Sequence, residues 1–217
     1  MKRLLPILIL SLVSSVAQAA LMDFEDFSDS NTTEGTLTSF TSGIFSVSLT
    51  AGSAQGGTDY DPYLDYGNAG VGVCKNSTVS AWPDSGTGNK CKTPDGSKGA
   101  AGDDNLQYLE FLRLDFGELV SVSDFFFRNA HHNLLNGDVK FAVDGGNFID
   151  YSFSSGLNTS LTLTGTTIDI TIGTGSNYTE LYLSKLEVQK VPEPSIIALM
   201  GLGLAGLGFA RRRKQKA

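Results

Sequence analysis

The chain has 217 residues, 41% of them hydrophobic, and a formal net charge of −7. That length holds one domain plus short extras, with enough apolar content for a core. Seven basic residues sit at the two ends, leaving 9 positive against 23 negative charges, a net of −14, on the chain between them; such a body repels phosphates and excludes nucleic acid as a partner.

The first element is MKRLLPILILSLVSSVAQAA. Lys2 and Arg3 form a charged n-region, Leu4 to Val13 is apolar, and Ala17-Gln18-Ala19 offers small residues to a signal peptidase. The apolar run is short for a membrane span. Residues 1–19 are therefore expected to be a signal peptide cut after Ala19, sending the chain to an oxidising compartment.

From Ala20 to Lys190 there is almost no helical periodicity, and strand patterns follow one another. Ile44 to Leu49 is the first clear run. Residues 51–105 differ: 11 glycines and 7 acidic side chains in 55 residues read as a long Gly/Asp-rich insertion without structure of its own. Cys74 and Cys91 lie inside it. In an oxidising compartment they are expected to pair, closing a loop of about 18 residues worth roughly 3 kcal/mol.

Leu106 to Phe116 places Tyr108, Leu112, Leu114 and Phe116 on one face, interrupted by Glu110. After Gly117-Glu118, LVSVSDFFF reads as a second strand, with Leu119, Phe125 and Phe127 opposite Val120, Val122 and Phe126. KFAV and FIDYSF flank Asp144-Gly145-Gly146-Asn147, a hairpin signal because glycine accepts positive φ. SLTLTGTTIDITIG repeats that pattern around Gly165, and Leu181 to Val188 is the last strand. Eight to ten strands at this spacing predict an all-β fold over residues 20–190, an antiparallel β-sandwich of jelly-roll type.

Candidate sites in the body are few. His131 and His132 are the only histidines; adjacent residues of a strand point opposite ways, and no carboxylate sits at ligand spacing, so they read as a loop. There is no G-x-S-x-G elbow, and the body is expected to be non-catalytic, with no cofactor. Asp59, Asp61, Asp65, Asp103 and Asp104 are oxygen ligands suited to Ca²⁺, although EF-hand spacing is absent. Trp82, Tyr60 and Tyr63 are the aromatics that would stack on sugar rings, beside amides and carboxylates for the hydroxyls. The expected role is structural or interaction-based, with a carbohydrate-binding module for exopolysaccharide as the alternative.

The final element is VPEPSIIALMGLGLAGLGFARRRKQKA. Pro192 and Pro194 hold the chain extended. Residues 196–210 are uncharged and as a helix would reach roughly 22 Å, a short transmembrane sorting helix. Arg211, Arg212, Arg213 and Lys214 would stop transfer on the cytoplasmic side. An extended, kinked stretch beside a membrane is a good protease substrate. Val191-Pro192-Glu193-Pro194, the Gly-rich apolar run and the terminal basic cluster together resemble the PEP-CTERM protein-sorting signal, over residues 191–217.

That resemblance implies export and transient inner-membrane insertion. It also implies removal of the tail by an exosortase-type membrane enzyme. The product would end in the periplasm, at the cell surface or in the extracellular matrix of a Gram-negative bacterium that makes exopolysaccharide. A weaker likeness, carried by Gly70-Val71-Gly72-Val73-Cys74, Gly102 to Asn105 and the aromatic strands that follow, resembles a recurrent group of such proteins and brings no enzymatic activity with it.

Overall fold

A computed structural model describes residues 18–31, 35–53, 60–75, 105–107, 109–172, 180–191, 200–201 and 203–204. Residues Ala19–Lys190 form one compact unit; the segments before and after it form a second. Within the body, the described residues make eleven antiparallel strands and one short helix. They are β1 (Ala19–Asp23), α1 (Phe24–Asn31), β2 (Gly35–Thr36), β3 (Ser39–Ser42), β4 (Phe45–Ser53), β5 (Tyr60–Asp65) and β6 (Gly70–Lys75). Then come β7 (Glu110–Asn129), β8 (Gly137–Val143), β9 (Ile149–Phe153), β10 (Thr162–Ile172) and β11 (Leu181–Lys190).

The described residues are mostly antiparallel strand, as the patterning implies, and their hydrogen bonding is continuous from strand to strand. All eleven strands belong to one hydrogen-bonded sheet, in the order β2-β5-β6-β11-β7-β10-β8-β9, with β1 on β11, and β4 carrying β3 and pairing β7. The physical reason is β7. The two strands expected on either side of Gly117-Glu118 are one strand of 20 residues. Its first half pairs β4 from Asp115↔Ser48 to Glu110↔Ser53, and its second half pairs β11 from Val120↔Lys190 to Asn129↔Leu181. Strand β10 runs along the other side of both halves and skips Phe116 to Leu119. Gly117 takes φ +66 at that bend, where L side chains are strained.

A second irregularity decides which side chains are inside. Ser123 pairs Glu187 and Phe126 pairs Lys185, so β7 spends three residues where β11 spends two. The extra residue, Asp124, sits at φ +50. A one-residue bulge reverses alternation. Val120 and Val122 are buried before it, and Phe125 and Phe127 after it. The expected pairing of Leu119 with Phe125 and Phe127 on one face is thereby overturned; Leu119 is 45% exposed. Phe125, Phe127, Phe141 and Phe153 then form an aromatic cluster with centroids 4.8–6.4 Å apart. It lies in the same core as Val47, Leu114, Ile170 and Leu186.

Three further expectations are corrected. Strand β10 continues through Gly165 instead of turning there: a Cβ at this position would collide with Val143 of β8, so the glycine allows close packing and makes no hairpin. The stretch 51–105 is not structureless throughout, since β5 and β6 form a hairpin inside it, with Tyr60↔Lys75 to Asp65↔Gly70 in register. Helix α1 carries no apolar periodicity; Asp23 caps it by accepting the Asp26 N–H at 2.8 Å. The β8–β9 hairpin forms where Asp144-Gly145 marks it, with Phe141↔Ile149 as its first described pair.

Candidate functional site

The sorting junction begins where the sheet stops. Lys190 is the last residue of β11, paired with Val120, and Val191 is half-buried. Pro192, Glu193 and Pro194 lie outside the described residues, as do Arg211, Arg212, Arg213, Lys214 and residues 1–17, where the signal peptide is expected. Within the expected span 196–210, Met200, Gly201, Gly203 and Leu204 are described and helical. Among the described residues no helix is long and apolar enough to cross a membrane.

The described members of the proposed ligand set, Tyr60, Asp61, Tyr63 and Asp65, all lie on β5. Tyr63 is 1% exposed; its ring is core and offers a sugar no face. Tyr60 is partly buried against the core, and Asp61 pairs Cys74 across the β5–β6 hairpin. Cys74 is buried and is not a free thiol; Cys91 lies outside the described residues. Trp82, Asp59, Asp103 and Asp104 lie outside them as well. Among the described residues no three His, Cys, Asp or Glu side chains converge as metal ligands.

Asp65 has a different partner. Its Oδ2 lies 3.1 Å from His132 Nε2, while His132 Nδ1 donates to the Gly67 carbonyl at 2.7 Å. The imidazole stands edge-on to Tyr182, with centroids 5.4 Å apart. The loop reading of the histidines thus holds for chain position but misses the contact, because 67 residues separate the partners. Around this pair the polar groups are mutually satisfied. Arg128 grips Glu25 with Nη2–Oε1 at 2.8 Å and Nε–Oε2 at 3.2 Å, and Asp29 accepts the Gly67 N–H at 2.6 Å. Ser184 donates to the Ala69 carbonyl at 2.6 Å. These bonds tie α1, the 66–69 turn and the loop after β7 onto β11. With both ring nitrogens held by fixed partners, His132 acts as a clamp.

A second cluster lies on β7 and β10, on the side turned away from the core. Arg113 of β7 forms a two-pronged contact with Asp169 of β10, Nε–Oδ1 2.6 Å and Nη2–Oδ2 2.7 Å. The hydrogen bond to Asp169 raises the Arg113 pKa above its ordinary value, against a smaller lowering by burial. A raised pKa contributes stability below the unfolded value and loses it only as pH climbs through the folded one, so Arg113 keeps its charge at every ordinary pH. Phe111 lies beside this pair, across Gly52 of β4, where a Cβ would meet the ring at 2.5 Å. Every Lys and Arg side chain described in the body has a carboxylate within ion-pair distance: Arg113–Asp169, Arg128–Glu25, Lys140–Asp150, Lys185–Asp23 and Lys190–Glu118. The body's surplus charge is accordingly negative.

An all-β body joined, within a residue of its last strand, to a short tail of Pro-Glu-Pro, apolar run and basic cluster defines a protein whose address is separate from its fold. Residues 190–214 match the family model for the PEP-CTERM protein-sorting motif, and the chain is a bearer of that motif. The motif marks an exported protein, sorted through the membrane in Gram-negative bacteria and processed by an exosortase-type membrane enzyme. No curated protein and no solved structure matches the chain.

Proposed function

We propose that the mature protein, from about Ala20 to near Pro194, is a non-catalytic structural or interaction protein of the cell surface or extracellular matrix. The observation that carries this reading is the match at residues 190–214, which begins at the last residue of a compact β-rich body. The leader fits removal by signal peptidase, and a Cys74–Cys91 disulfide fits the oxidising destination. Mass spectrometry of the protein recovered from each cell fraction tests this. The expected product lacks residues 1–19 and the apolar run, sits outside the inner membrane, and gains two hydrogens on reduction. Intact tails on extracellular material would refute the reading.

A second reading is binding of exopolysaccharide, supported by the outer face of β4, β7 and β10. There the Phe111 ring, Arg113, Asp169 and Thr50 share one surface, an aromatic beside fixed hydrogen-bonding groups. With all described cations neutralised internally, the fitting glycan is neutral, or is acidic and bridged by Ca²⁺. A glycan array run with and without calcium tests it, using wild type, Phe111→Ala and Trp82→Ala. Loss of binding in Phe111→Ala supports the outer face; loss in Trp82→Ala alone favours the 51–105 stretch. No binding by the wild type leaves the structural role.

A further inference from the structure

The path of hydrogen-bonded strands runs from β2 to β9, and its two ends differ. Strand β2 is two residues long, too short to template another strand. Strand β3, off the path, is tied to β1 on its far side, where Ser42 Oγ donates to the Leu21 carbonyl at 2.7 Å. Strand β9 presents five residues, and among the described residues only β8 pairs with it. Native edges are commonly blunted by lysine, proline or a bulge. Strand β9 has no lysine and no proline, and its register is unbroken from Gly137↔Phe153 to Phe141↔Ile149. Its one charge, Asp150, lies 3.9 Å from Lys140 Nζ of β8. Ile149 is 58% exposed, and Phe148 beside it is 44% exposed.

The ladder fixes which backbone groups of β9 face outward. The Ser152 carbonyl accepts from Asn158 Nδ2 at 3.0 Å and is turned away from β8. Alternate residues share that direction, so the N–H and C=O of Asp150 and Phe148 face outward as well. Two such edges related by a two-fold axis pair antiparallel, and the residue at the axis decides what meets. With Asp150 at the axis, two carboxylates stand directly opposite, which is destabilising. With Tyr151 at the axis, Asp150 must pair with Ser152 of the second copy. The Ser152 carbonyl is already held by Asn158, and the chain doubles back just beyond, with Ser154 and Leu157 exchanging backbone bonds at 3.2 Å. With Phe148 at the axis, the ladder runs into the turn closed by Gly146 N–H on the Val143 carbonyl at 2.9 Å. Ile149 at the axis meets none of these obstacles. Phe148 of each copy then exchanges both backbone bonds with Asp150 of the other. The two exposed isoleucines pack together, with Cβ atoms about 4.5–5.5 Å apart, and each Asp150 keeps its lysine.

We propose that β9 is a self-association edge: a second copy of this chain adds its own β9 antiparallel, centred on Ile149, and the sheet continues across the pair. The occupant is a second copy because the strand is complementary to itself in this register, with apolar side chains meeting at the axis and no like charges opposed. The inference concerns the body alone and is independent of the sorting tail.

The test uses processed protein purified from the producing bacterium, sedimented from micromolar to sub-millimolar concentration. Wild type should pass from monomer to twice that mass as concentration rises. Ile149→Lys changes an exposed side chain and should stay monomeric throughout, with an unchanged melting temperature. Cross-linking reads the register. Ile149→Cys sets two thiols opposite each other with Cα atoms about 4.5 Å apart, within the roughly 4.4–6.8 Å reach of a disulfide. It should give a covalent dimer that reduction separates. Asp150→Cys lies diagonal to its counterpart, more than about 7 Å away, and should give none. A wild type that is monomeric at every concentration would overturn the proposal, whether the edge is bare or covered by the same chain. So would a dimer that survives Ile149→Lys, or one that cross-links through Asp150→Cys and not through Ile149→Cys.

Discussion

The body and the tail meet at Lys190 and Val191, and they store information in opposite ways. Strand β11 has its meaning only in place: it lies between β7 on one side and β6 and β1 on the other, and its Tyr182, Leu183, Leu186 and Val188 are buried. The tail keeps its meaning as a string, in the order Pro-Glu-Pro, apolar run, basic cluster, with no partner required from the rest of the chain. A receptor reads the string, whereas the body has to be read by itself, through packing. One protein thus has a destination independent of its fold and a fold independent of its destination.

That separation can be broken from either side. The largest effect is expected in the tail: Pro192→Ala with Glu193→Ala should abolish tail removal, leaving the precursor in the inner membrane, while the body's melting temperature stays unchanged. In the body, Phe127→Ala empties a site packed against Phe125, Phe141 and Phe153. It should cost about 3–5 kcal/mol, read in a denaturant titration, with the tail still cut on the molecules that fold. Arg128→Met leaves Glu25 buried without its cation, for a loss of about 3 kcal/mol, less than the aromatic deletion. Exposed Asp124, held at φ +50, is the mildest case. Asp124→Gly should be neutral or gain a few tenths of a kcal/mol, and Asp124→Val should lose about 1 kcal/mol. A change of tail cleavage in any of the four folded body variants would show that the two regions are coupled beyond the junction.

Much of the body's local structure is legible. The β8–β9 hairpin follows from Asp144-Gly145, and β4 and β11 follow from their alternation. The bulge at Asp124 is not legible, because Ser-Asp-Phe-Phe-Phe alternates equally well in either parity and the choice rests with the residues of β11. Helix α1 escapes because eight residues with Phe24 and Ser28 as its inner positions give no apolar stripe; the signal that marks it is Asp23 ahead of Glu25 and Asp26. Hairpin β5–β6 hides in a Gly-rich composition, although Tyr63-Leu64 and Val71-Gly72-Val73 are strand-like once paired. Of the site residues, the tail motif is readable directly. The His132–Asp65 contact is not, since nothing near either residue announces a partner so far along the chain.

Sequence alone determined what acts locally or is read linearly: the sorting tail, the abundance of strands and the one tight hairpin. Each depends on residues within a few positions of one another, where propensity and charge suffice. Tertiary structure decided the continuity of β7 through its bend, the inward turn of Phe125 and Phe127, and the meeting of the body's two ends on β1 and β11. Those are choices among registers that cost nearly the same locally. Only burial of the shared core, summed over distant strands, separates them.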